Sequence, residues 1–448
     1  MSESSPASTR KIDRTPLAEE GKPTPRFAWV ALISTLIVSI IVPMAWFSIP
    51  PNAGLIFGSF AMKGTPIDPT QFGLLMNGLS YSAMIIALPC GFIIRKIGIK
   101  PTLLIACGLV FLGALWIALL ADLGYEYLLT GRIIQGFGVG MTSVTGPTAV
   151  AIWFSNKRRG LAIAIWSCWV PIGMLTVFNV SPQIAQQPES LGIIWWMIVV
   201  LLAVAFVQFA IVYRIPRKEE TTEITLEPLK YREALPYLKN RQFIALLIAW
   251  LLFEYINYGF TTFDVTFLQE GFGVDPVTAA LVGSIASACG ILAPISGAIL
   301  DKLKWSRKWI LVAIGCCALA ICTVFGFKAA SIYLFAAYFF WHVIGNVMLV
   351  GSCRPMVPFL LGRGGSTVVA VALSFLTFFQ YLGETLETFF TLAIGAWGYE
   401  MASWVALTPF AVIATVFAFF VRPSKAEKER VDAELAARNA RITGECNE

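Results

Sequence analysis

The sequence predicts an all-α polytopic membrane protein with twelve transmembrane helices arranged as two pseudo-symmetric six-helix bundles. Three observations lead to this fold class: the composition, twelve long apolar runs, and a one-sided distribution of basic residues. Of the 448 residues, 57% are apolar and 13% are charged, about half of the roughly 25% charged residues of a soluble globular protein. This composition excludes a soluble enzyme and a disordered chain. The net charge of +6 does not indicate a nucleic-acid partner, because the basic residues cluster in the loops between apolar runs.

The apolar runs have the length that a membrane requires. A hydrocarbon core about 30 Å thick is crossed by ~20 apolar helical residues, whereas the strands of a membrane barrel alternate with period two over ~10 residues. The sequence fits the helical pattern throughout, and we number the runs span 1 to span 12. Their predicted limits are 27–49, 71–94, 101–121, 126–153, 160–181, 191–213, 242–266, 277–300, 308–327, 331–352, 367–390 and 402–421.

Basic residues predict the orientation, because Lys and Arg are enriched in cytoplasmic loops. An even number of spans places both termini on one side. If that side is the cytoplasm, it receives 29 of the 33 basic residues. The four exceptions are Lys63, Lys328, Arg132 and Arg354. We therefore expect a multi-pass protein of the plasma membrane, or the inner membrane in a bacterium, surrounded by membrane lipids and with both termini cytoplasmic.

Charged segments divide the chain into five parts. The run after residue 26 is longer than the 7–15 apolar residues of a cleavable signal peptide, so it is predicted to be a retained first span. The longest charged connection divides the spans six and six. The predicted parts are a cytoplasmic N-terminal tail 1–26, a first half 27–213, a cytoplasmic linker 214–241, a second half 242–421 and a cytoplasmic C-terminal tail 422–448.

The two halves resemble each other, as an internal repeat would require. Span 2 contains Pro89 ahead of a basic loop, and span 8 contains Pro294 ahead of another. Spans 5 and 11 carry Gly173 and Gly383 at comparable depths. Two parallel six-helix halves related by an axis along the membrane normal are a common transporter design.

Four short motifs are in register with this repeat. They are GFIIRKIGIK at 91–100, GAILDK at 297–302, RIIQGFG at 132–138 and WFSNKRRGLA at 153–162. Together they resemble the loop and span 4 signatures of the major facilitator superfamily, and the resemblance covers residues 27–421. It implies a secondary carrier that works by alternating access, in which two halves rock about a central site.

The resemblance also implies a conformational latch, with Gly91 and Gly297 in the two loop motifs. In the family, an aspartate of the first motif lies beside the cytoplasmic start of span 11, but this chain has Arg95 there. A cation near a helix N-terminus is unfavourable by a few tenths to ~1 kcal/mol. The second motif keeps its aspartate, so we expect the latch to depend on Asp301, near Gly160 at the start of span 5.

Arg132 in span 4 shares a helical face with Gln135, Gly136, Gly140 and Ser143. A charge inside a span costs roughly 2.5–3.5 kcal/mol on insertion scales and usually has a function. A buried guanidinium suits a carboxylate partner or an anionic solute. The alternative is structural, with the glycines packing helices closely and Arg132 binding backbone carbonyls.

Two polar stripes are predicted to face the bundle interior, because facing lipid would leave their carboxyl groups unpaired. Span 7 carries Glu254, Asn257, Thr261 and Asp264 with Tyr258 beside them, and span 11 carries Thr377, Gln380, Glu384 and Glu387. Burial in a low dielectric favours the neutral form of a carboxyl group. We therefore expect Glu254 or Glu384 to couple transport to a proton, whereas Glu387 and Asp264 are expected in a solvated outer vestibule.

Two further residues of span 10 have alternative interpretations. His342, the single histidine, either relays protons or is a hydrogen-bonded structural residue. Arg354, at the predicted inner end of the span, is expected to extend its charge to the interface, and a functional role is the alternative.

The leading functional hypothesis is a secondary active transporter of a small organic solute, with symport of an organic anion and a proton as one form. The alternatives are a multidrug or lipophilic-compound proton antiporter on the same fold and, remotely, a channel or an intramembrane enzyme. Only half of the span 5 signature of drug antiporters is present around Pro171. No nucleotide loop, metal cluster or nucleophile–base pair is found in the sequence. We therefore expect a monomer that is not an enzyme and has no cofactor or metal, with a small solute and a proton as partners.

Overall fold

The regular structure of the chain is helical. The computed structural model describes residues 24–154, 162–163, 165–217, 220, 238–303, 305–361, 365–423, 429 and 433. Every regular element within these ranges is a helix or a helical turn. The predicted linker 214–241 and the two tails lie largely outside the described residues.

The twelve predicted spans correspond to helices in chain order. Spans 1 to 6 are Phe27–Trp46, Pro69–Ile97, Ile99–Leu120, Tyr125–Ala151, Trp169–Ile184 and Leu191–Val212. Span 7 is Arg241–Phe272, and span 8 consists of Pro276–Ala288, the 3-10 turn Cys289–Leu292 and Ala293–Lys302. Spans 9 and 10 are Trp309–Phe325 and Ile332–Leu361. Spans 11 and 12 are formed by Gly365–Ala402, the π-helical turn Ser403–Leu407 and Thr408–Phe420.

Spans 11 and 12 are separated by a bend at a single glycine. Gly398 has a φ of 73° and a ψ of 173°, a left-handed conformation that only glycine adopts at little cost. Eight described helical segments are long and apolar enough to cross a membrane, and one of them, Val371–Phe420, has 50 residues and includes both of these spans. Spans 4, 5 and 9 are less apolar or shorter in the described residues. The predicted all-α fold is thus confirmed.

The observed limits differ from the predicted limits in two informative places. Span 10 extends to Leu361 instead of ending at residue 352, because Arg354 finds polar partners inside the protein and the helix continues past it. The connection from span 1 to span 2 contains an additional helix, Ala53–Met62. It escaped prediction because ten apolar residues are too few to cross a bilayer. Its Phe57 ring stacks on Phe72 of span 2 at 5.1 Å between centroids.

Close helix crossings reveal the repeat in three dimensions. A Cβ atom added to Gly136 of span 4 would collide with the Leu79 carbonyl of span 2, and one added to Gly351 of span 10 would collide with the Ala293 carbonyl of span 8. Equivalent spans therefore cross at contact distance in the two halves, as small residues permit.

The same relation holds between spans 1 and 5 and between spans 7 and 11. Gly173 of span 5 abuts the Ile40 carbonyl of span 1, and Gly383 of span 11 abuts the Leu251 carbonyl of span 7. The comparable depths of Gly173 and Gly383 in the sequence thus correspond to equivalent positions in the two bundles. The predicted Gly136-x-x-x-Gly140 packing surface is confirmed as well, since a Cβ on Gly140 would collide with Ala83 of span 2.

The outer surface of the bundle is apolar, as lipid requires. Span 6 exposes one continuous stripe of large aliphatic side chains, Ile193, Val200, Val204, Val207 and Ile211, which are 53–78% accessible. In water such a stripe would be costly at about 25 cal/mol per Å² of apolar surface. Lipid tails remove that cost, and the stripe therefore marks a lipid-facing surface.

Candidate functional site between the two halves

The first half contacts the second half through polar side chains of spans 2 and 11. Ser80 Oγ donates a hydrogen bond of 2.8 Å to Glu384 Oε2, and Tyr81 Oη lies 2.9 Å from Thr388 Oγ1. Glu384 is 1% accessible. The prediction that the Glu384 stripe faces the bundle interior is therefore confirmed, and its carboxyl group lies at the interface of the halves.

A chain of polar contacts continues from Glu384 into the second half. Gln380 Nε2 donates to Glu384 Oε1 at 3.2 Å, and Gln380 Oε1 accepts a hydrogen bond of 2.9 Å from Arg354 Nη2. The Arg354 guanidinium also interacts electrostatically with Glu254, which is 6% accessible. The expectation that Arg354 extends to the membrane surface is thus wrong. Its charge is directed into the protein, where the Glu254 carboxyl group and the Gln380 amide oxygen are its partners. We call Glu254, Arg354, Gln380 and Glu384 the central network.

Aromatic side chains of both halves adjoin the central network. Trp46 Nε1 of span 1 donates to Tyr258 Oη of span 7 at 3.0 Å, and Ser80 Oγ lies 3.3 Å from the same hydroxyl. The Trp46 ring is 6.0 Å from that of Tyr381, whose hydroxyl makes a short hydrogen bond to Ser143 of span 4. Tyr258 was predicted to belong to the site, and the structure brings it there.

Arg132 has a different set of partners from the one expected of a substrate-binding residue. Its guanidinium donates to three backbone carbonyls, those of Leu75 at 2.9 Å, Ala45 at 2.8 Å and Trp46 at 2.7 Å. It also donates to Gln135 Oε1 at 3.0 Å. All of these acceptors belong to the first half, and the side chain is fully buried. The contacts agree with the structural alternative, in which Arg132 fixes spans 1, 2 and 4 to one another.

His342 and Asn257 lie in a second polar chain, between spans 7 and 10. His342 Nε2 is 3.0 Å from Asn257 Oδ1, and His342 Nδ1 is 3.1 Å from Tyr338 Oη. Tyr338 Oη in turn lies 2.7 Å from Asp264 Oδ1. Asp264 is 2% accessible, so its predicted place in a solvated vestibule is wrong. The sequence did not reveal that an aromatic layer of the second half covers this carboxyl group.

Glu387 is likewise buried and paired. It accepts hydrogen bonds from Asn77 Nδ2 of span 2 and, at 2.6 Å, from Thr391 Oγ1, and it has no accessible surface. The expectation of a solvated vestibule fails here too, because Asn77 comes from the other half, 310 residues away. Glu387 is instead a second carboxyl group at the junction of spans 2 and 11.

The predicted latch is only partly described. Gly91 lies in span 2 and Gly297 in span 8. The side chains of Arg95 and Asp301, and residue Gly160, lie outside the described residues. The latch therefore stays a prediction. Among the residues that the structure describes, no group of three or more His, Cys, Asp or Glu side chains could hold a metal ion.

Arg354 and Ser80 are the site residues that sequence reasoning missed. Arg354 had a signal, since it is a charged residue beside Cys353 and Pro355 where the repeat aligns spans 4 and 10. Ser80 gave no signal in the sequence, because a single serine in an apolar span is common and its partner, Glu384, is 304 residues away.

Comparisons with known proteins agree with this architecture. The family model for the Major Facilitator Superfamily matches residues 31–386. A hexuronate transporter of Bacillus subtilis (strain 168) is 24% identical over 342 residues, which is 68% of this chain and 79% of that protein. D-xylose-proton symporter-like 3, chloroplastic, of Arabidopsis thaliana is 30% identical over 160 residues, or 32% of this chain. This second alignment spans only 28% of the relative's own length.

A solved structure supports the fold independently. The chain superposes on a bacterial homolog of the human lysosomal transporter Spinster, in an inward-facing and unoccupied conformation, with a TM-score of 0.69 and 16% sequence identity. The match covers 90% of this chain and all of that one. With the twelve spans, the paired halves and the family model together, the chain belongs to the Major Facilitator Superfamily, a family of membrane transporters.

Proposed function

We propose that this protein is a proton-coupled symporter that carries a small organic acid by alternating access. The observation that carries the proposal is the central network, in which the Arg354 guanidinium interacts with the buried Glu254 and is linked through Gln380 to the buried Glu384 at the interface of the halves. Arg354 is the anion-binding group, and Glu254 and Glu384 are the proton-binding groups. Asn257, Tyr258 and Gln380 supply further hydrogen bonds to the solute.

Charge balance explains how proton and solute binding are coupled. With Glu254 ionised, the positive charge of Arg354 is neutralised inside the protein. Protonation of Glu254 removes that negative charge and leaves Arg354 available for the carboxylate of a solute. A buried unpaired guanidinium is costly, so proton and organic anion bind together or not at all. Such mutual dependence is the thermodynamic basis of symport.

The solute class follows from the donors and acceptors near Arg354. Planar guanidinium groups bind carboxylates through two parallel hydrogen bonds, and the neighbouring amides and phenols suit hydroxyl groups. A hydroxylated acid satisfies both requirements. The similarity to a hexuronate transporter supports a sugar acid as the solute, and we therefore expect uptake of hexuronates.

We place both termini in the cytoplasm and the described conformation in the inward-facing class. The contacts between spans 2 and 11 involve Gly73, Asn77 and Ser80 of span 2 with Thr391, Glu387 and Glu384 of span 11. These residues occupy the parts of the two spans that are remote from the basic loops. Closure on that side supports a site that opens toward the cytoplasm.

Transport in proteoliposomes tests the proposal. We expect an inside-alkaline pH gradient to drive accumulation of radiolabelled glucuronate or galacturonate, and unlabelled acid to exchange with it when the gradient is absent. Arg354→Lys keeps the charge but lacks the planar fork, so accumulation is expected to fall at least tenfold. The matched control is Arg307→Lys in the exposed loop between spans 8 and 9, which should transport like the parent.

Transport assays with other solutes distinguish the proposed function from the alternative functions. Accumulation of labelled xylose but not of either acid would replace the organic acid with a neutral sugar. Proton-driven extrusion of a lipophilic cation, without uptake of either acid, would overturn the proposal in favour of a multidrug antiporter.

A further inference from the structure

The second polar chain contains groups that the central network does not use. Asp264 of span 7 and Tyr338 and His342 of span 10 are each at most 2% accessible. Tyr338 Oη bridges the other two, at 2.7 Å from Asp264 Oδ1 and 3.1 Å from His342 Nδ1. We call these three residues the triad. Buried polar groups at such distances form a hydrogen-bonded unit whose members titrate together.

The triad is connected to the central network by one amide. His342 Nε2 lies 3.0 Å from Asn257 Oδ1, and Asn257 follows Glu254 by three residues, which places the two side chains on one face of span 7. Asp264 and Glu254 are ten residues apart on span 7, or ~15 Å at 1.5 Å per residue. The chain thus runs from the central network toward the outer end of the second half.

The hydrogen bonds determine how many protons the triad holds. The Asn257 oxygen faces His342 Nε2, so the oxygen accepts and His342 Nε2 carries a hydrogen. If His342 is neutral, Nδ1 is then an acceptor and Tyr338 donates to it. In that form the Tyr338 oxygen accepts from a protonated Asp264. In the other form Tyr338 donates to an Asp264 carboxylate and accepts from Nδ1–H of a His342 imidazolium, and the triad holds the same number of protons.

The surroundings favour the uncharged form. The Phe260 ring lies 4.8 Å from the Tyr338 ring and 5.6 Å from the His342 ring, and Phe335 is 5.0 Å from Tyr338. Separated charges in such an apolar environment are costly. The ionisable groups that face the chain include the Cys322 thiol of span 9, which interacts with Asp264. The others surround Glu254 in the central network and are Arg354, Glu384, the Cys353 thiol and the Tyr381 phenol.

We propose that the triad is a proton store that delivers one proton to Glu254 through His342, with Asn257 as the gate. In the delivery step the O–H bond of Asp264 breaks as its proton passes to the Tyr338 oxygen, and the phenolic proton of Tyr338 passes to His342 Nδ1. The imidazolium then releases its Nε2 proton to the Glu254 carboxylate when the Asn257 side chain moves aside. One O–H bond is lost at Asp264 and one is formed at Glu254, while the imidazole hydrogen moves from Nε2 to Nδ1. Asp264, which is 2% accessible here, regains a proton from water when the carrier opens outward, and rotation of the His342 ring restores the starting tautomer.

This inference rests on the proposed symport, but nuclear magnetic resonance tests it without any solute. The chain contains a single histidine, so a protein labelled with ¹⁵N-histidine and purified through a histidine-free tag gives signals from His342 alone. In the parent we expect a protonated Nε2 and a hydrogen-bonded, unprotonated Nδ1. Both signals should shift together when rising pH removes the stored proton.

Two conservative variants and one control test the proposal in the resonance experiment. Asp264→Asn cannot ionise and Tyr338→Phe lacks the bridging hydroxyl, so both should lose the shared pH-dependent shift. Tyr255→Phe is the matched control, because Tyr255 is a buried phenol of span 7 that donates to the Ala406 carbonyl at 2.6 Å and is not part of the chain. Retention of the parental shift in Asp264→Asn would overturn the proposal.

Transport measurements on the same variants separate this inference from the proposed function. Tyr338→Phe should reduce gradient-driven glucuronate accumulation at least tenfold while exchange persists. If the parent carries no organic acid, the proposed function fails, but the resonance experiment still reports on the triad. If the parent accumulates the acid and Tyr338→Phe does so equally well, the proton reaches Glu254 by another route and the store is refuted.

Discussion

Ser80 of span 2 donates its hydroxyl hydrogen to the carboxyl group of Glu384 in span 11, across 2.8 Å and between residues 304 positions apart. This contact joins the halves at the depth of the central network. Its donor is a hydroxyl and its acceptor changes charge on protonation. The strength of the contact between the halves therefore depends on the proton, since hydrogen bonds to ionised acceptors are roughly twice as strong as neutral ones.

Glu384→Gln should abolish gradient-driven accumulation while leaving exchange of the solute. The glutamine keeps the shape of the side chain and can still contact Ser80, but it cannot bind or release a proton. Parallel assays of accumulation and exchange in proteoliposomes measure the two activities. Glu270→Gln, at the exposed outer end of span 7, is the control. If Glu384→Gln and Glu254→Gln both accumulate solute like the parent, the coupling group lies elsewhere.

Arg132→Ala should destabilise the protein. The substitution removes the guanidinium that donates to three buried carbonyls and to Gln135 Oε1, and a hydrogen bond to a charged group contributes roughly 1.5–3 kcal/mol. Arg132→Lys should be nearly as harmful, because an ammonium group lacks the planar fork that reaches several acceptors at once. Thermal unfolding in detergent measures the effect. Lys63→Ala, which removes an exposed pair with Asp122, should change stability by less than about 1 kcal/mol. An Arg132→Ala variant as stable as the parent would contradict the structural role.

Gly73→Ala should open the outer side. A methyl group at Gly73 would collide with the Thr391 side chain, which cannot rotate away without losing its 2.6 Å hydrogen bond to Glu387. Overpacking costs about 1–3 kcal/mol, which corresponds to a roughly 5- to 150-fold shift toward the outward-open state. Labelling of a Thr388→Cys reporter from outside, with the native cysteines replaced, measures the shift.

Gly192→Ala is the control for this experiment, because no atom lies within 4 Å of the added Cβ position. Equal labelling rates in the two alanine variants would show that the contact between Gly73 and Thr391 does not hold the outer side closed.

Asp301→Asn should weaken the outward-open state, if the latch depends on the second loop motif. Loss of ~1 kcal/mol at the start of span 5 would move the resting population inward by a factor of roughly five. Arg95→Asp should move it in the opposite direction by restoring a carboxylate to the first motif. Cysteine accessibility from both sides of the membrane measures both variants, and an unchanged pattern in Asp301→Asn would disprove the latch.

Lys328 should react unusually fast with amine-acylating reagents at pH 8. It lies in the loop between spans 9 and 10, which the proposed orientation places on the outer side. It donates to Thr408 Oγ1 at 3.1 Å and is 3.1 Å from the centre of the Trp404 ring. Desolvation lowers the pKa of its ammonium group to about 8, partly opposed by Glu400. With a pKa of about 8, about half of the amine is neutral at pH 8. Because this folded-state pKa lies below the unfolded value, folding gains stability as the pH rises further.

Mass spectrometry of proteoliposomes labelled with a membrane-impermeant reagent measures this reactivity. Lys63, in the connection between spans 1 and 2 that the proposed orientation also places outside, is the reference. Faster labelling of Lys63 would contradict the shift, and labelling of both lysines only after the vesicles are opened would contradict their outer location.

The membrane-spanning architecture could be predicted from the sequence because lipid imposes a strict rule on each helix separately. Span 6 needs no partner to be recognised, since its residues other than Gln208 carry no polar side chain. Contacts between distant helices follow no such local rule. Glu384 was predicted to face the interior, but its pairing with Ser80 depends on how spans 2 and 11 approach each other.

Arg354 illustrates the same limit. The apolar run of span 10 weakens at residue 352, and a charge just beyond it is typical of a helix end. The helix continues because Gln380 and Glu254 compensate the guanidinium, and both residues belong to other spans. A local rule describes the cost of a buried charge but not the partners that offset it.

The spacing of Asp264 and Glu254 along span 7 has an electrical consequence. Their ~15 Å separation is about half of the hydrocarbon thickness, so a proton that passes from one to the other traverses about half of the membrane potential. One charge crossing the whole potential corresponds to about 2.3 kcal/mol per 100 mV, and this step therefore contributes about 1 kcal/mol per 100 mV. An inside-negative voltage would drive a proton from Asp264 toward Glu254 even with equal pH on both sides. This proton transfer would therefore depend on voltage although no charged helix moves.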